Sequence, residues 1–150
     1  MLFRSGPGAL PTVQRVCVRQ MDVPVGKVVY TPVLSPGGGF RSDLTVMRLG
    51  DDHYRVVTGG AHGMVDLKWF KDHAALDATF TDLTEAISTI GLWGPNARAI
   101  LSAVTNDDVS NEGFPFGSCR EITVNGAKVL SSRISHVGDL GWEQIGRAHV

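Results

Sequence analysis

Few side chains in this 150-residue sequence stand in a spacing that could do chemistry. Asp43 is the first of them. It follows a glycine turn, heads an apolar strand and lies two positions before Thr45. A carboxylate there either points into a cleft at a sheet end or closes the turn. Asp51-Asp52-His53 sets three metal-ligating types in a row, yet behind Gly50 the run reads as a solvated corner. His62, between Ala61 and Gly63 and ahead of an amphipathic stretch, reads as a surface or capping residue. Gly37-Gly38-Gly39 joins one strand to another, so it presents no helix N-terminus to a phosphate. The sequence has no glycine-rich loop ending in Lys-Ser/Thr, no nucleophile elbow and no His-Glu-x-x-His. Its two cysteines, Cys17 and Cys119, are too few for a disulfide framework or an all-cysteine zinc site, and they read as reduced, buried thiols.

Composition narrows the classes further. Hydrophobic residues make up 43% and charged residues 19%, which fits a globular domain. Lys and Arg number 14 against 15 Asp and Glu, a net charge of −1. A phosphate-backbone binder would carry a basic excess, so nucleic acid is not an expected partner. No stretch approaches the roughly 18 apolar residues of a spanning helix, so neither is a membrane. The 18 glycines are well above the usual ~7% and predict many tight turns between short strands.

The elements that must position these residues follow from periodicity. Gly6-Pro7-Gly8-Ala9 precedes Leu10, Val13, Val16 and Cys17, a helical spacing with Pro7 expected at the first helical position. Gly94-Pro95-Asn96-Ala97 repeats the device ahead of Ile100, Leu101 and Val104. The pattern reads as a weak internal duplication of two αβ units. Between them, Val28–Leu34, Asp43–Leu49 and Tyr54–Thr58 predict an antiparallel meander. Residues 61–75 predict an amphipathic helix using Met64, Leu67, Trp69, Phe70 and Ala74. Thr79–Leu83 and Ile87–Trp93 are further strands. Cys119–Val124 and Lys128–Ile134 form a hairpin around Asn125-Gly126. The expected class is α+β with mainly antiparallel sheet. Residues 1–5 and 144–150 look like translated sequencing-adapter strings. Both are expected to be scars outside the fold, leaving residues 6–143 as part of a longer protein.

Three segments together resemble a known family: Val25-Gly26-Lys27-Val28-Val29-Tyr30-Thr31-Pro32-Val33-Leu34, then Gly38-Gly39-Phe40-Arg41-Ser42-Asp43-Leu44-Thr45-Val46, then Tyr54-Arg55-Val56-Val57-Thr58-Gly59. Ile90-Gly91-Leu92-Trp93-Gly94-Pro95 and Val137-Gly138-Asp139-Leu140-Gly141-Trp142-Glu143 continue the likeness in order. The family is the tetrahydrofolate-binding aminomethyltransferases, which includes the glycine cleavage T-protein and the folate domains of dimethylglycine and sarcosine dehydrogenases. Asp43-Leu44-Thr45 and Leu92-Trp93-Gly94-Pro95 look more like the dehydrogenase-associated branch. The resemblance implies that Asp43 is the carboxylate beside the folate, that Tyr30 lines the pterin pocket, that Glu143 holds the pterin's polar edge and that Phe116 flanks the folate. Thr58 stands where the T-protein has an asparagine, and His136 where a tyrosine is usual.

The implied cofactor is tetrahydrofolate, with FAD in a fused domain outside this chain. The implied partners are folate and a small N-methyl amine or aminomethyl donor. The implied chemistry is capture of the one-carbon unit, an iminium or formaldehyde, left by oxidative N-demethylation of dimethylglycine- or sarcosine-like amines, giving methylene-tetrahydrofolate. Asp43 would orient the bridge nitrogen and accept its proton. Two alternatives remain: a glycine-cleavage-type aminomethyltransferase, and a non-catalytic folate-binding regulatory domain. The expected compartment is the cytoplasm, or the mitochondrial matrix in a eukaryote. Because the family's pocket is shared among subdomains, these 150 residues alone are expected to expose apolar surface and to turn over little.

Overall fold

A computed structural model describes residues 2–147, with side chains from Ser5 onward. The chain divides into two compact units, Met1–Thr84 and Glu85–Val150. All strand pairs are antiparallel. The class is α+β.

The first unit contains β1 (Leu2–Ser5), α1 (Ala9–Val16), β2 (Val28–Leu34), β3 (Phe40–Gly50), β4 (His53–Thr58), α2 (Gly63–Asp72) and β5 (Thr79–Asp82). Its sheet runs β2-β3-β4-β1-β5. The expected meander is present as β2, β3 and β4. Alternation along β3 buries Ser42, Leu44 and Val46 and turns Asp43 outward. The core gathers Val13 and Val16 of α1, Phe70 of α2, and Val33, Leu44, Val46, Tyr54 and Val56 of the sheet. Each such side chain, once buried, contributes roughly 1.5–3 kcal/mol.

The second unit contains β6 (Ile87–Trp93), α3 (Ala97–Ser102), β7 (Ser118–Val124), β8 (Ala127–Arg133) and β9 (Gly141–Arg147), in the sheet order β6-β9-β8-β7. It repeats the first unit without α2 and β5. The repeat extends to register: Leu2 faces Val56, and 88 residues later Ile90 faces Gln144. The same offset carries buried Ala9, Val13 and Tyr54 onto buried Ala97, Leu101 and Trp142. Each helix follows a left-handed glycine, Gly6 at φ 94° and Gly94 at φ 122°. In both, the alanine N–H three residues on bonds back to that glycine's carbonyl. The duplication is thus a property of backbone and core together.

Several boundaries differ from expectation. Helix α1 starts at Ala9 with Gly8 as N-cap, so Pro7 lies in the turn before it. β3 starts at Phe40, because the Ser35–Gly39 turn closes tightly through Gly38 N–H to Ser35 O at 2.9 Å and lets Phe40 pair with Leu34. Asp43 therefore lies inside the ladder, opposite Pro32, and does not head the strand. On α2 it is Asp66, not Met64, that is buried. Two strands escaped the sequence reading. β1 uses Leu2–Ser5, and β9 continues through Ile145, Gly146 and Arg147. The terminal strings set aside as scars thus occupy strand positions. Backbone ladders show where these residues lie, not their origin. Met1 and 148–150 of those strings lie outside the described residues.

Candidate functional site

In the first unit, β2 and β3 carry Tyr30 and Asp43 on one outward face. Tyr30 faces Thr45 and Asp43 faces Pro32, so the two polar side chains are diagonal neighbours. The Tyr30 hydroxyl donates to Asp43 Oδ2 at 2.6 Å, the short distance of a charge-assisted bond. This bond to the carboxylate, then burial, then the negative charge of Asp43 push the phenol's pKa up, so Tyr30 keeps its proton and remains a donor. Asp43 is exposed, and it accepts no other hydrogen bond among the described residues. One carboxylate oxygen is oriented and the other is open. In the second unit the same 88-residue offset places Ser118 and Ser131 at these positions on β7 and β8. Only the first copy places a carboxylate at this diagonal.

Thr58, at the end of β4, is engaged elsewhere. Its hydroxyl donates to Asp66 Oδ2, and the Ser42 hydroxyl donates to the same oxygen at 2.9 Å. Asp66 is 4% and Ser42 5% exposed. This buried cluster ties α2 to the strand ends on either side of Leu44, next to Asp43. Sequence reasoning missed Asp66, because an acidic residue on an amphipathic helix ordinarily faces water. A usable signal was Ser42: it shares the inward parity of Leu44 and Val46, and a buried hydroxyl there needs a partner. Further along α2, Arg41 lies 3.8 Å above the Trp69 ring, and the ring of the C-capping His73 lies 4.0 Å from Trp69, tilted at 41°.

In the second unit, Glu143 lies on β9 between Gly91 of β6 and Ser132 of β8. Its Oε2 and the Ser132 hydroxyl are buried with no hydrogen-bond partner among the described residues. Burial pushes the Glu143 carboxyl above its ordinary range, and the charge of His136 pulls it partly back. His136 is exposed in the loop between β8 and β9. Phe116 is 66% exposed in the loop before β7. The structure thus joins Tyr30 to Asp43 directly and Glu143 to His136 electrostatically. It commits Thr58 to Asp66 and leaves Phe116 unengaged on its loop.

A cleft of about 560 Å³ opens at the end of α3, lined by 102–107, Thr123, Asn125 and Gly126. None of the six residues above lines it. Its carboxylate, Asp107, already accepts from Thr123 N–H at 2.8 Å and from Thr105. It offers fewer free groups than Asp43 or Glu143. Among the described residues, no three His, Cys, Asp or Glu side chains converge as metal ligands would. No helix among the described residues is long and apolar enough to cross a membrane.

Comparison with known proteins assigns the chain to a family. The aminomethyltransferase of Halothermothrix orenii is 32% identical over 140 residues, covering 93% of this chain and 39% of that protein. The mitochondrial sarcosine dehydrogenase of Homo sapiens is 35% identical over 136 residues, covering 80% of this chain and 15% of that protein. This chain therefore spans well under half the length of either relative. The crystal structure of glycine cleavage system aminomethyltransferase T from Bartonella henselae superposes with a TM-score of 0.81 over 97% of this chain and 38% of that one, at 18% identity, which shows a shared fold. Residues 3–149 match the family described as GCVT N-terminal domain, and the chain belongs to that family.

Proposed function

We propose that this chain is the folate-binding part of a tetrahydrofolate-dependent one-carbon transfer domain. The one-carbon unit would come from oxidative demethylation of a small N-methyl amine. The observation that carries the reading is the outward Asp43 carboxylate, oriented through one oxygen by Tyr30 at 2.6 Å and open at the other. That is the arrangement of a positioned base. The orphaned, buried Oε2 of Glu143 fits the N–H edge of a pterin ring, which would satisfy it. Tetrahydrofolate, when bound, supplies the nitrogens that take up the one-carbon unit. Asp43 would accept the proton released as the second nitrogen engages, and Tyr30 would hold the carboxylate in place. A nearby anion also favours cationic nitrogen electrostatically. The oxidation is assigned to a fused FAD domain outside this chain. The Leu92-Trp93-Gly94-Pro95 segment supports that assignment over a glycine-cleavage donor.

Calorimetric titration of the chain with tetrahydrofolate, beside Asp43→Asn, tests the reading. Wild type should bind, and the variant should retain most of that binding. In the full-length parent, the same variant should lose ~10²–10⁴-fold in transfer rate. Equal loss of binding and transfer would remove Asp43 from the role of base.

A further inference from the structure

The sheet face that carries Glu143 also carries an aromatic surface that the reading above does not use. β6 and β9 pair Gly91 with Glu143 and Trp93 with Gly141. Directly paired residues project from the same face, so all four positions share one. The Trp93 ring lies down across both glycines. A Cβ on Gly91 would come within 2.0 Å of Cζ3 and 2.1 Å of Cη2 of the indole, and a Cβ on Gly141 within 2.2 Å of Cδ1. The six-membered ring therefore covers Gly91, and the five-membered ring covers Gly141. No other residue type would leave room for it at either place. The indole Nε1 donates to Ile134 O at 3.2 Å, which fixes the ring's direction. One side of the ring rests on backbone, yet Trp93 is still 44% exposed, so its other side stays open.

Glu143 shares the rung of Gly91, which brings its carboxylate beside the benzo edge of this ring. On the far side of Glu143, at the same rung, stands Ser132 with its unsatisfied hydroxyl. An immobilised half-open indole flanked by an unpaired carboxylate is complementary to one class of ligand. That class is a flat heteroaromatic ring with N–H donors along one edge and a π-face to stack.

We propose that Trp93 is a ligand-stacking residue, and that the ring it carries is the one whose N–H edge Glu143 accepts. This rests on the folate reading and adds to it a binding residue and a pose, with the pterin plane laid over the indole. The test titrates tetrahydrofolate into the 150-residue chain by calorimetry and by quenching of indole fluorescence. Wild type is compared with Trp93→Leu, Trp93→Phe and Gly91→Ala. Trp93→Leu should raise Kd by about 5- to 150-fold, the range a base–aromatic stack spans. Trp93→Phe, which keeps a smaller π-face, should lose only a few-fold. Gly91→Ala keeps the indole but pushes it off its seat, and should weaken binding while leaving the indole present. Ligand quenching of the wild-type fluorescence should shrink sharply in Trp93→Phe, a change that a merely structural role would not produce. If Trp93→Leu fails to fold, the Kd and quenching of Trp93→Phe and Gly91→Ala decide the matter. Binding within twofold of wild type in folded variants, with quenching unchanged, would overturn the stacking role and leave the folate reading standing. Absence of binding by folded wild-type chain would overturn both.

Discussion

Asp66→Ala is expected to destabilise the first unit by about 2–4 kcal/mol. Two hydroxyls, from Ser42 and Thr58, donate to one buried oxygen of this carboxylate. A hydrogen bond to a charged group contributes about 1.5–3 kcal/mol, so two give roughly 3–6. Relief from keeping an ion in a site only 4% exposed offsets part of that. What remains is also the cost of leaving the Ser42 hydroxyl buried without an acceptor. Asp66→Asn keeps an acceptor oxygen and should recover about half of the loss. The assay is urea unfolding at neutral pH followed through tryptophan fluorescence, with the m-value checked for constancy. A cycle with Ser42→Ala should give a coupling of at least ~1 kcal/mol between the two positions. Amide exchange at Asp43 and Leu44 should also accelerate in Asp66→Ala, since the β3 end loses its tie to α2. Asp66→Ala within ~0.5 kcal/mol of wild type would refute the argument that this cluster anchors the Asp43 end of the strand.

Glu143 should make stability pH-dependent with a definite sign. Its folded pKa is raised above the ordinary 4.5 by burial, so the folded chain binds this proton more tightly than the unfolded chain does. The associated stability is fully present below pH 4.5 and falls as pH rises through the folded value. Glu143→Gln should be flat across that window and more stable than wild type at pH 7, as read from unfolding midpoints at half-unit pH steps. A parallel fall in both proteins would mean another group titrates. Trp142, fully buried against Phe114, should cost about 3–5 kcal/mol on change to alanine, by denaturant melts. Met64→Ala, on the exposed side of α2, should stay within ±0.5 kcal/mol in the same assay.

Local patterning made most of the architecture legible. Val28–Leu34 and Ile87–Trp93 read as strands from their apolar, β-branched runs. Asn125-Gly126 reads as a hairpin turn because both residues accept positive φ, here 45° and 83°. The duplication showed faintly through Pro7 and Pro95, while its full extent lies in register, which no local window displays. β9 was hidden because its strand residues alternate poorly: Trp142 is buried and Gln144 only half so, and Ile145 was set aside with the terminus. The Tyr30–Asp43 contact is diagonal across a hairpin, so the resemblance pointed to each residue separately but not to their contact. Asp66 was legible only through the inward parity of Ser42, a strand residue 24 positions earlier. The seat beneath Trp93 was not legible, because it joins Gly91 of the same strand to Gly141 of β9, about fifty residues on.

The sheet order of the first unit has a consequence for how the chain reaches it. β1 sits between β4 and β5, pairing Leu2 with Val56 on one side and with Asp82 on the other. The residues of β1 must therefore wait for about eighty later ones before both flanks of that strand can close. Such long-range closure favours slow assembly, since loop entropy is lost before the contacts that offset it form. Until β1 docks, β4 and β5 each present an unpaired backbone edge, the kind of surface on which other chains add strands. Removing Leu2–Ser5 would make that transient state permanent. Solubility during expression is then exposed, alongside native-state stability, to loss of β1.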